Sequence, residues 1–140
     1  MREMDGLIRD AVGSILERVA SHDHIRGEET SLLSVWLTFR GGEPLEVSCA
    51  NTGGLGVEPV PQGTGGDLGE AGRTEVTDAS GAPPFSEVVG RTLVGVEEIT
   101  DQGEAVGMAL EFEGVKSPLV LLNWGDDFWA GLEVPAFVSQ

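Results

Sequence analysis

Apolar and polar residues alternate with a period of two along Val35–Arg40. Val35, Leu37 and Phe39 fall on one side, and Trp36, Thr38 and Arg40 on the other. The run Met108, Leu110, Phe112 against Ala109, Glu111, Glu113 repeats the pattern later in the chain. Each run predicts a strand with one buried face. The stretches RGGEP and EGVKSP that follow them carry Gly and Pro, and predict hairpin-like links to a further strand.

The repetition extends beyond these strands. Asp10-Ala11-Val12-Gly13 followed by Leu16 and Val19 matches Glu87-Val88-Val89-Gly90 followed by Leu93 and Val96. VWLTFRG matches MALEFEG, Pro44-Leu45-x-Val47 matches Pro118-Leu119-x-Leu121, and Gly54-Leu55-Gly56-Val57 matches Gly131-Leu132-Glu133-Val134. The blocks keep the same order, which predicts two diverged copies of one unit, at 10–60 and 87–136. Each copy reads as a four-strand meander with one apolar face to cover. The two cover each other as a sandwich or as one curved sheet, a mainly β fold.

The organisation expected is a first β repeat with an N-terminal helix over 1–60, a linker or loop over 61–84, and a second β repeat over 85–140. The middle segment is Gly-rich and contains Pro61, Pro83 and Pro84, a composition that buries little, so no strand is expected around Val76. Leu7, Ile8, Ala11, Val12, Ile15 and Leu16 have helical spacing, with Asp5 available as a cap. The repeat, however, equates residues 14–19 with the strand-like RTLVGV. A short helix over 4–12 feeding a strand at 14–20 satisfies both patterns, and residues 85–89 form the shorter counterpart.

Charge changes the picture of what such a fold could bind. Twenty-four Asp and Glu oppose eight Lys and Arg, for a net charge of −16. A surface of that sign repels nucleic acid and anionic membranes and attracts a basic protein. Cys49 has no partner for an intrachain disulfide, and no stretch reaches the roughly 20 apolar residues of a membrane span. With MREMDGLIRDAVG unlike a signal peptide, a cytoplasmic protein is expected.

No catalytic motif stands out, and no cofactor is expected. GTGGDLG lacks the Lys and Ser/Thr of a phosphate-binding loop. His22 and His24 flank Asp23, a set usable for metal, but the polar run ASHDHIRGEET reads as a solvated loop, so no metal site is expected. Neighbouring acids such as Glu97 and Glu98 point to opposite strand faces, which argues against acid–base cooperation.

The copies differ most between the matched Pro and the matched Gly-Leu. There the second copy carries LVLLNWGDDFWA, apolar on both strand faces, with Trp124, Phe128 and Trp129 around Asp126 and Asp127. Aromatic rings beside carboxylates suit a protein interface that selects a basic partner. Two readings stand for Trp124 and Trp129: interface contacts, or filling between two sheets. Glu111 and Glu113 add exposed acids on a neighbouring strand.

The succession VG-x-x-L-x-x-V, L-x-F-x-G-x-x-x-P-L and N-W-G-D-D resembles small acidic bacterial immunity proteins of polymorphic toxin systems, and uncharacterised β domains from actinobacterial-type genomes. The resemblance runs from Val89 through Pro135. It implies that the chain binds a cognate toxin, often a nuclease, and blocks its active site. The function expected is a non-enzymatic binder of a basic protein through Trp124, Asp126, Asp127, Phe128 and Trp129, with Glu111 and Glu113. The alternatives are a homodimeric assembly protein with its seam on Leu119–Leu122, or a small-ligand enzyme with a pocket between the repeats.

Overall fold

A computed structural model describes residues 6–51 and 53–138. A short helix α1 (Gly6–Arg9) precedes the long hairpin of β1 (Leu16–Arg26) and β2 (Glu29–Phe39), followed by β3 (Leu45–Cys49) and β4 (Leu55–Pro59). The second half repeats this series as β7 (Leu93–Asp101), β8 (Glu104–Phe112), β9 (Leu119–Trp124) and β10 (Asp127–Gly131). Between them lie two further strands, β5 (Gly66–Asp67) and β6 (Arg73–Asp78).

Two antiparallel sheets result, one ordered β4-β3-β2-β1-β6-β5 and the other β10-β9-β8-β7. They pack face to face over one core, so the fold is a sandwich. Val19, Val35, Leu37, Phe39 and Val47 of the first sheet join Leu93, Met108, Leu110, Phe112, Leu119 and Leu121 of the second. Alternation explains the set: in each strand every second residue faces the other sheet. Removing each large side chain from water contributes about 1.5–3 kcal/mol.

The two halves agree beyond strand count. In β1–β2 the register slips between Leu16 and Arg18 and again between His22 and Asp23; in β7–β8 it slips between Leu93 and Gly95 and between Ile99 and Thr100. These are equivalent positions, so both bulges of the unit occur in both copies. The fourth sequence match is the exception. Leu55 pairs with Cys49 as Phe128 pairs with Asn123, so Leu55 corresponds to Phe128 and not to Leu132. The distinctive stretch of the second copy is therefore its third and fourth strands with the turn between them.

Residues 61–84 are more than a linker. Residues 73–78 form β6, which pairs along β1 from Ala20↔Asp78 to Ile25↔Arg73, and β5 pairs with β6 in turn. From Pro59 to Gly66 the chain must cross the sheet from one edge to the other. Five interstrand spacings amount to about 24 Å, close to the full reach of that segment. It passes over the outer face of the sheet, where a Cβ on Gly63 would rest 3.7 Å from Trp36 Cη2. Trp36 is consequently buried.

The outer face of the second sheet is covered in the same manner by the segment after β10. Val138, with Val134 packed alongside, closes over Ile99, Ala109, Val120 and Leu122. The two apolar faces of Leu119–Leu122 are thus both used within the chain: Leu119 and Leu121 between the sheets, Val120 and Leu122 under this strap.

The N-terminal helix ends at Arg9, short of the residue 12 expected, and the strand begins at Leu16. Asp5, its expected cap, lies outside the described residues. A 3-10 turn at Phe85–Glu87 is the counterpart of α1. Ile8 and Phe85 occupy equivalent buried positions, and Ala11 N–H donates to Ile8 O (2.9 Å) as Val88 N–H donates to Phe85 O (3.0 Å).

Candidate binding surface

The hairpin β9–β10 turns through Gly125 and Asp126, at φ 61° and 70°. Gly and Asp tolerate this left-handed backbone, and two successive positive φ values match the twist of the flanking strands. Asn123 holds the turn from below. Its Oδ1 accepts from Asp126 N–H (2.9 Å), and its Nδ2 donates to Gly54 O (2.8 Å) in the facing β3–β4 turn.

Turn length sets which way each ring points. Asp127 pairs with Trp124, Phe128 with Asn123 and Trp129 with Leu122. Directly paired residues share a face, so Trp124, Asp127 and Trp129 lie on the outer face while Phe128 enters the inter-sheet core at 8% exposure. Phe128 was expected at the contact surface; it is a core residue, because the turn places it one position out of phase with the tryptophans. Neither tryptophan fills the space between the sheets.

Trp124 stacks on Phe137 of the strap, with ring centroids 4.6 Å apart at 50°. Trp129 lies over Gly131, where a Cβ would collide with the indole. Both tryptophans are half-buried, whereas Asp126 and Asp127 are exposed. Among the described residues neither carboxylate pairs with a cation; the ion pairs seen are Arg40–Glu17 (3.4 Å) and Arg73–Glu75 (2.8 Å).

Beside the turn is a surface depression of about 510 Å³, lined by Gly53, Gly54, Glu104, Val106, Asn123 and Asp126 among others. Cys49 occupies the position equivalent to Asn123 and faces the same turn. Burial pushes its thiol up to about 11, and the Asp126 and Asp127 charges add to the rise. The thiol is therefore un-ionised at neutral pH and is poorly suited to act as a nucleophile.

Glu111 and Glu113 are exposed but are not part of this patch. Along β8, Glu104 borders the depression, and Glu111 lies about 23 Å farther at ordinary strand rise. Glu111 sits beside Gly95, and Glu113 N–H donates to Thr92 O (2.9 Å), at the opposite end of the sheet.

The polar run around His22 is strand, not solvated loop. His22 packs on Trp36 (centroids 5.7 Å) and lies 3.5 Å from Ser34 Oγ, which donates to Glu46 Oε2 (2.8 Å); His24 Nε2 contacts Ala71 O at 2.6 Å. No group of three or more His, Cys, Asp and Glu able to hold a metal occurs among the described residues. Among them, too, no helix is long and apolar enough to cross a membrane.

Fold and surface together define a two-repeat β-sandwich with an acidic, tryptophan-flanked hairpin tip. No known protein family, curated protein or solved structure matches the chain.

Proposed function

We propose that this chain is a non-enzymatic binding protein that recognises a basic protein through the β9–β10 tip and occludes it, in the manner that its resemblance to toxin immunity proteins implies. The observation that carries the reading is the Asp126–Asp127 pair, two exposed carboxylates without cationic partners among the described residues. Half-buried Trp124 and Trp129 flank them on one face. Carboxylates at an exposed turn, on a chain of net charge −16, accelerate encounter with a cationic surface. Indoles that already have one side packed lose little freedom on forming a contact. Phe128 supports the tip from the core, and Glu111 and Glu113 contribute only to the overall field.

The test is a capture experiment on lysate of the source organism, using the wild-type chain and an Asp126→Lys/Asp127→Lys variant side by side. One dominant basic protein retained by the wild type at low salt, and lost both at high salt and on the variant, supports the reading. Equal retention by the two chains contradicts it.

A further inference from the structure

The two halves differ in one respect that bears on binding. In the first, β1 carries an additional strand, β6, on its outer edge. In the second, the equivalent strand β7 is the last of its sheet. The first half shows which groups that edge offers. Val19 O accepts from Ala79 N–H (2.8 Å), and Val19 N–H donates to Ser80 Oγ (3.0 Å), so Val19, and with it Ser21 and Asp23, direct their backbone groups toward β6. Their equivalents on β7 are Val96, Glu98 and Thr100.

At Leu93 the edge is occupied, since Gly13 N–H donates to Leu93 O (2.8 Å) and Leu93 N–H to Ser14 O (2.9 Å). From Val96 onward no described strand pairs there. Resting on the proposed function, we infer that this edge of β7 receives an extended, Lys- and Arg-rich segment of the basic partner as an added antiparallel strand, in the place that β6 takes on β1.

Charge selects the occupant. Glu97 and Glu98 are exposed and lie on opposite faces of β7, paired with Ala109 and Met108 respectively. An incoming strand therefore meets a carboxylate on each face. Residues 85–140 contain ten acids against Arg91 and Lys116. A second copy of β7 would place like charges opposite each other, which is destabilising, whereas alternating cations would be paired on both faces. Backbone hydrogen bonds supply affinity and the flanking acids supply selection, as in strand addition generally.

The experiment follows backbone amide shifts of the labelled full chain at low salt. The probe is a synthetic peptide of residues 73–78 carrying Glu75→Lys and Asp78→Lys, with the unaltered acidic peptide as control. Shifts centred on Val96, Glu98 and Thr100 with the basic peptide are expected. Affinity is expected to fall about fivefold or more with the acidic peptide and in a Glu98→Pro chain, whose proline removes an outward N–H while leaving the β7–β8 ladder intact. A Glu97→Lys/Glu98→Lys chain, which keeps its backbone N–H groups, is expected to lose the basic peptide as well. Shifts confined to residues 124–129, or none, overturn the edge inference while leaving the basic-partner reading to the capture experiment. Protection of the β7 edge that depends on protein concentration, without peptide, also overturns it by assigning the edge to a second copy.

Discussion

Ile15 and Thr92 occupy the same position in the two repeats, and they pair with each other as an isolated antiparallel bridge. The hydrogen bonds around them come in equivalent pairs. Gly13 N–H donates to Leu93 O (2.8 Å) as Gly90 N–H donates to Leu16 O (2.7 Å). Leu93 N–H donates to Ser14 O (2.9 Å) as Leu16 N–H donates to Arg91 O (3.0 Å). Arg40 N–H donates to Ile15 O (2.8 Å) as Glu113 N–H donates to Thr92 O (2.9 Å). Such reciprocity is what a two-fold dimer interface has, here within one chain. At the far end of the strands the β3–β4 and β9–β10 turns also face each other, Asn123 toward Gly54 and Cys49 toward Asp126–Asp127.

The junction makes matched demands on Gly13 and Gly90, at φ 97° and 89°, where an added Cβ meets no neighbour. Substitution therefore tests backbone conformation alone. Gly13→Ala and Gly90→Ala are each expected to destabilise by about 1–2 kcal/mol, and by similar amounts. Urea denaturation of the two variants checks this; a silent substitution at one site would show that the two halves are not held alike.

The strap after β10 keeps an apolar face dry. A chain ending at Leu132 would uncover Ile99, Val120 and Leu122 together with one side of Trp124. It is expected to bind a hydrophobic dye strongly and to self-associate, as exposed apolar patches do. Phe137→Ala, which removes only the ring stacked on Trp124, is expected to shift tryptophan emission without association. Light scattering and fluorescence distinguish the two outcomes. A monomeric, dye-silent truncation would mean that Val134 and Val138 contribute little to covering that face.

Cys49 gives the hairpin tip a pH signature. Its thiol is raised from an ordinary 9.0 to about 11, chiefly by burial and then by Asp126 and Asp127. The associated stability is fully present below pH 9. It is lost as the pH rises toward about 11, because the unfolded chain ionises first. Cys49→Ser is expected to flatten that part of the stability profile. Asp126→Asn/Asp127→Asn is expected to lower the thiol pKa and speed alkylation at pH 9. Unchanged alkylation would place the carboxylates too far from the sulfur to act.

Much of this architecture was legible in the residues. Val35–Arg40 and Met108–Glu113 announce strands because each has one face in a core, and three of the four repeat blocks coincide with structural equivalents. The failures have particular causes. β6 pairs at an edge beyond the core, so RTEVTD carries no apolar alternation to read. His22 and His24 read as loop for a similar reason: the long hairpin continues past the core, where polar residues suffice. The Gly-Leu shared by the fourth block suggests the wrong register, because those two residues recur by chance at the end of the fourth strand, whereas the pairing of Phe128 with Asn123 fixes the true one. Once the two-residue turn at Gly125–Asp126 is known, the outward tryptophans and inward Phe128 follow from alternation. That turn is itself a readable Gly-Asp signal. The strap's contact with Trp124 brings together residues on separate elements and left no local pattern.

The most direct test of the central claim is the association rate between this chain and the basic protein it captures, measured across ionic strength for the wild type and for Asp126→Lys/Asp127→Lys. Charge reversal is expected to slow association roughly tenfold or more at low salt, with the two rates converging at high salt, while the variant still unfolds cooperatively, at a somewhat lower temperature because Lys accepts the positive φ of position 126 less readily than Asp. Rates that match at low salt would contradict it and remove the β9–β10 tip from the binding surface.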